Sequence, residues 1–230
     1  EHTPGGSSSG SAAAVASCMC LGALGTQTMG SILRPAAYCG IAGLKPTYDL
    51  VSRRGVIPLA PSLDHVGPMA RTVADVGLLF RAMREPGSSR GDLSSGRSFA
   101  SGTVNPPVPS SCIIGFPDRY FINESQAEVL AKYQEALRSL EEAGCRLREI
   151  RLPELFEASV HSAGVIMRAE AAAYHQRWFF SRSQDYSPKL RAMIEAGLRI
   201  PSVSYIRAQQ IRRAGIEQMR RLLSEIDCLV

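Results

Sequence analysis

Two glycine-rich turns near the start of the chain constrain its fold more than any other feature. The first reads Gly5-Gly6-Ser7-Ser8-Ser9-Gly10-Ser11 and the second Gly25-Thr26-Gln27-Thr28-Met29-Gly30-Ser31. Between them runs a small, apolar stretch, Ala12 to Leu24. Such a stretch is expected to be buried, with residues 11–20 helical and the cluster Ser7, Ser8, Ser9 as its N-terminal punctuation. Gly22 to Thr28 reads as a short strand or turn. Tight turns that flank one short element can set two exposed hydroxyls side by side. A hydrolytic site can be built that way without a histidine.

The chain has 230 residues, 45% of them hydrophobic, enough to bury one sizeable core. Its net charge of +5 is scattered over elements that also carry acids, which suggests solvated faces rather than a nucleic-acid track. The six cysteines contain no C-x-x-C pair and mostly have apolar neighbours. Buried free thiols in a reducing compartment, hence a cytoplasmic location, are expected. The four histidines lack metal-ligand spacing. No signal peptide opens the chain, and no apolar run of about 18 residues suggests a membrane span. The chain begins inside a turn motif and ends on what reads as the opening of a strand, so it is expected to be part of a longer protein.

Further along, Thr72 opens a helix with Asp75 at the capping-box position and Val76, Leu79, Phe80 and Met83 at helical spacing. Tyr38 to Leu44 should be tightly packed. Residues 86–110, rich in Gly, Ser, Pro and Arg, read as a surface loop. Cys112 to Phe116 is predicted as a buried strand, then a helix from Glu124 to Ala143 capped by Asn123 and stopped by Gly144, then a strand from Cys145 to Leu152. Strand, helix, strand with short connections is a βαβ unit with parallel pairing. Helices follow at about 154–180, 188–197 and 202–225.

Gly6-Ser7-Ser8-Ser9-Gly10 matches G-x-S-x-G, the nucleophile elbow, which would draw on His161 or His175. A longer pattern is far more specific. It begins Pro4-Gly5-Gly6-Ser7-Ser8-Ser9-Gly10-Ser11, continues Leu24-Gly25-Thr26-Gln27-Thr28-Met29-Gly30-Ser31-Ile32-Leu33-Arg34-Pro35, and reaches Gly43-Leu44-Lys45-Pro46-Thr47. Ser62-Leu63-Asp64 and Val66-Gly67-Pro68-Met69-Ala70-Arg71-Thr72 complete it. This closely resembles the amidase signature family, densely over residues 4–83 and more thinly from 112 onward.

The resemblance implies an α/β fold, an α/β/α sandwich around a large, mixed, twisted β-sheet, incomplete at both ends. All 230 residues then form a partial signature domain: core 4–83, loop 86–110, and a βαβ and helical part over 111–230. It implies Ser31 as nucleophile and Ser7 as the bridging serine, with a cis peptide bond between Gly6 and Ser7. It also implies an oxyanion hole from the backbone N–H groups of Thr28, Met29, Gly30 and Ser31, with Gly6, Ser8 and Arg34 in support. The family's base is a lysine kept neutral by burial, upstream of the bridging serine. Lys45, Lys132 and Lys189 do not match it, so this chain alone is expected to be nearly inactive.

The expected reaction is hydrolysis of a carboxamide through an acyl-enzyme, on a small-molecule amide. No metal or organic cofactor is implied, and a homodimer is left open. Two alternatives stand beside it: an amidotransferase component that works with partners on aminoacyl-tRNA, and a non-catalytic relic or binding module. Two departures matter. The family usually has Gly where Met29 stands, which is harmless only if the local φ is negative, and Gln27 replaces a frequent Asp. Tyr174, Trp178 and Phe179 form an aromatic cluster that reads either as pocket wall or as core.

Overall fold

A computed structural model describes residues 2–84, 112–117, 120–123 and 125–230. The predicted loop over 86–110 lies outside the described residues. The rest falls into two compact units that do not follow chain order. One holds the described residues up to Arg84 together with Val165–Pro201, and the other those from Cys112 to Gly164 together with Ser202–Val230.

In the first unit, α1 (Ser9–Ala16) leads into β1 (Gly22–Gln27), then α2 (Leu33–Tyr38), β2 (Ala42–Gly43), β3 (His65–Ala70) and α3 (Val73–Met83). The three strands form an antiparallel sheet in the order β1-β3-β2. Gly22 faces Ala70 and Gln27 faces His65, so the end of β1 delivers the second serine turn beside the start of β3. The outer edge of β1 carries no strand among the described residues. Ala12, Ile32 and Met69 form a fully buried cluster beneath the two turns, joined by Cys39 and Ile41. Thr72 caps α3 as expected: its hydroxyl accepts from Asp75 N and donates to the Asp75 carboxylate.

The first helix departs from expectation in extent, burial and capping: it ends at Ala16 rather than near residue 20, only Ala12 and Val15 are buried, and residues 16–19 are exposed. Ser8 stands at its N-cap but makes no capping bond. Its hydroxyl is instead held by β1, accepting from Thr26 N at 3.1 Å and donating to Thr26 O at 3.2 Å.

In the second unit, β4 (Ile113–Pro117), α4 (Ala127–Glu142) and β5 (Arg146–Ile150) form the predicted βαβ unit, with β4 and β5 parallel. The closing residues Cys228–Leu229 form β6, also parallel to β4. The described strands thus make two three-stranded sheets, one antiparallel and one parallel. The start of α4 differs from its sequence reading. Asn123 is not the cap; the helix begins at Ala127 with Gln126 before it. Ser125 N donates to Ile122 O and Ser125 Oγ to Phe121 O, so this segment closes as a separate turn. Gly144 ends the helix with φ +92°. The remaining helices lie close to the predicted ranges: α5 (Phe156–Arg182) belongs to this unit up to Gly164 and to the first from Val165, α6 (Pro188–Leu198) to the first, and α7 (Ser202–Leu223) to this one. All six cysteines are free thiols, but only Cys145 is buried.

Candidate active site

The two serine turns meet through the backbone. Ser8 N donates to Ser31 O at 3.2 Å, which sets Ser7 and Ser31 on adjoining segments. Ser7 is exposed and Ser31 half-buried. Among the described residues neither hydroxyl has a protein hydrogen-bond partner, so both remain available to a ligand. The peptide bond between Gly6 and Ser7 is cis. Arg34 grips it from α2: Nε and Nη2 both donate to Gly6 O, at 3.1 and 2.9 Å. A planar guanidinium suits that two-pronged contact. Gly5 makes the entry to the bond possible, with φ +74°. A Cβ there would stand 3.0 Å from Pro35 Cα, so both conformation and space demand glycine.

The second turn is held by two side chains to which the motif assigns no role. Gln27 is buried, 3% exposed, at the end of β1. Its Oε1 accepts from Ile32 N and Leu33 N at 2.8 and 2.9 Å, and its Nε2 donates to Met29 O at 2.9 Å. One amide therefore ties both limbs of the turn together. Asp64 fastens the flank: it accepts the Thr28 hydroxyl on Oδ1, and Leu59 N and Ala60 N on Oδ2. Next to it, Ser62 donates through N and Oγ to Glu170 of α5, at 2.9 and 2.6 Å.

Met29 does not have a positive φ, and neither does Gly30. The side chain of Met29 points into solvent, 46% exposed. The turn therefore accepts a residue other than glycine at this position without a left-handed backbone. Among the described residues the N–H groups of Met29, Gly30 and Ser31 donate to no protein acceptor.

The amidase family model matches residues 1–230, the whole chain. The chain belongs to the amidase family. It is 34% identical over 264 residues to a glutamyl-tRNA(Gln) amidotransferase subunit of Akkermansia muciniphila, covering 100% of this chain and 54% of that protein. A solved amidase structure superposes with a TM-score of 0.84 at 32% identity, over 98% of this chain and 48% of that one. The native peptide amidase of Stenotrophomonas maltophilia superposes at 0.69 with 30% identity, over 91% of this chain and 47% of that one. This amidase-family chain spans about half the length of the curated relatives it matches.

Its three lysines differ in their surroundings. Lys45 is half-buried, with Nζ 3.3 Å from His65 Nε2. His65 Nδ1 must donate to Leu63 O, 2.6 Å away, so in the neutral ring Nε2 is the acceptor for Lys45. Burial pushes Lys45 below the usual lysine range. Lys132 pairs with Glu135 on an exposed face, and Lys189 is exposed in the first turn of α6. Of the two histidines that a nucleophile elbow would have used, His161 is exposed and His175 hydrogen-bonds Tyr186. The aromatic cluster divides: Phe179 is core, packed with Ala172 and Ile194, whereas Tyr174 and Trp178 line a cavity. Among the described residues no His, Cys, Asp or Glu cluster could hold a metal, and no helix is long and apolar enough to cross a membrane.

Proposed function

We propose that this chain carries the serine half of an amide-hydrolysing site. The observation that carries the reading is the bond from Ser8 N to Ser31 O, which sets the two uncommitted hydroxyls on adjoining segments. Ser31 Oγ attacks the carboxamide carbon and passes its proton to Ser7 Oγ, whose own proton goes to a base. The carbonyl oxygen becomes an oxyanion facing the amides of Thr28 to Ser31. Collapse breaks the C–N bond, the amine leaves with a proton from the relay, and an ester to Ser31 remains. Water then attacks that ester by the same relay and releases the acid. Arg34 holds the Gly6 carbonyl and so orients Ser7. The base is a lysine that these 230 residues do not supply. Turnover of an aryl amide by a longer protein containing this chain, lost in Ser31→Ala and cut about 10²–10⁴-fold in Ser7→Ala, tests the relay. Turnover by the 230-residue chain alone, itself abolished by Ser31→Ala, would remove the external base from the scheme.

One observation favours a second reading: curated relatives at 34% and 37% identity are named as glutamyl-tRNA(Gln) amidotransferase subunits. In that case ammonia released at Ser31 would pass to an aminoacyl-tRNA bound by partner subunits. Co-purification with such partners and tRNA-dependent consumption of an amide would decide for it. A catalytically silent relic is the remaining alternative, and covalent labelling of Ser31 by a fluorophosphonate would exclude it.

A further inference from the structure

Away from the serine turns, the first unit contains a recess of about 270 Å³. Tyr174, His175 and Trp178 wall it from α5, Tyr186 closes it from the segment before α6, and Ile57 reaches it from a loop. An engineered cavity of about 150 Å³ holds one benzene ring, so this volume fits a single ring with a small substituent.

The walls are preorganised. Tyr174 and His175 meet edge to face at 5.0 Å and 83°, as do His175 and Tyr186 at 5.4 Å and 89°. Tyr186 packs on the buried cluster of Ala172, Phe179 and Ile194. Edge-to-face pairing is also the geometry in which a further aromatic ring is favoured. The two charged side chains that line the recess neutralise each other. Arg182 and Asp185, which also line it, pair with each other at 2.7 Å. The Arg177 guanidinium lies stacked over the Trp178 ring, 3.5 Å from its centroid. Burial lowers the pKa of His175, so its ring is neutral at pH 7. The lining also holds a hydrogen bond between His175 Nδ1 and Tyr186 Oη at 3.2 Å, where a ligand hydroxyl or N–H could join.

We propose that this recess is a binding site for a single uncharged aromatic ring bearing one hydrogen-bonding group, the chemistry of a phenol. Aromatic walls favour a flat π-face, the volume matches a single ring, and the Arg182–Asp185 pair at the lining disfavours an ion. The site needs neither Ser31 nor a base, so it stands or falls apart from the hydrolytic reading.

Trp178 is the single tryptophan of the chain and lines the recess, so its fluorescence reports on the site directly. Titration of the 230-residue chain with phenol should give a saturable change with a dissociation constant on the order of 1 mM. Cyclohexanol, benzoate and benzylamine should each bind at least about fivefold more weakly, a difference of roughly 1 kcal/mol. Ile57→Glu, at a side chain 75% exposed and thus safe for folding, should weaken phenol by a similar factor. Tyr186→Phe should weaken phenol while leaving toluene unchanged, and Ser31→Ala should change neither. No saturable signal, equal binding of cyclohexanol, or indifference to Ile57→Glu would overturn the assignment.

Discussion

Asp64 is 8% exposed and serves three donors at once, the Thr28 hydroxyl and the amides of Leu59 and Ala60. Removing the carboxylate leaves those groups without an acceptor, at about 1–3 kcal/mol for each one that water cannot reach. Asp64→Ala should therefore lower the unfolding free energy by about 3 kcal/mol in urea denaturation, and Asp64→Asn by less, because one oxygen remains. Gly5→Ala should cost about 1–2 kcal/mol from the left-handed backbone alone, with more from Pro35, whose Cα would lie 3.0 Å from the new Cβ. Ser7, Ser31 and Arg34 stand out in the sequence because they sit in a dense motif, and their roles are those proposed above. Gln27 and Asp64 are not legible as supports. Asp64 reaches Thr28 from 36 residues away, and only the β1–β3 register brings the two together.

Elements are read best where their signals are local. The Thr72–Asp75 capping box and the Gly144 stop each lie within one turn of the helix they bound, and both are present. Asn123 misleads because its neighbour Ser125 spends its own donors on Ile122 and Phe121, closing a turn before the helix can begin. Helix contacts carry no sequence signal at all. Gly197 of α6 lies so close to α5 that a Cβ would meet Arg168 O at 2.0 Å and Ala172 Cβ at 2.8 Å. A backbone carbonyl cannot yield as a side-chain tip can. Gly197→Ala should thus destabilise the chain by about 1–3 kcal/mol. Gly215→Ala meets only the rotatable Ser159 hydroxyl at that range and should cost less, which paired thermal melts would resolve.

For the molecule as a whole, two half-buried imidazoles set a pH response. Desolvation holds both His65 and His175 below their ordinary value of 6.5, and for His65 the Lys45 ammonium adds to it. In the unfolded chain both rings protonate more readily, so the unfolded state takes up more protons. Stability should be full above about pH 6.5 and fall as the pH drops toward the lowered folded values. Melting temperatures measured from about pH 7.5 to 5 should decline, with a shallower slope in His65→Gln.

The α/β class is legible at this scale from the βαβ spacing, whereas the division into two interleaved units is not. Nothing local marks Val165 as the residue at which α5 changes allegiance. The outer edge of β1 pairs with no strand among the described residues; hydroxyls cover part of it instead, Ser8 on Thr26 N and O and Ser11 on Leu24 O. Close in sequence to that edge, Met19 and Leu21 are 81% and 82% exposed, and Leu24 on the strand itself is 59% exposed. A strand edge closed only by two hydroxyls, with oily neighbours, behaves as an adhesive. The isolated chain should self-associate as it is concentrated, and Leu24→Lys, which plants a charge beside that edge, should raise the concentration at which light scattering first appears.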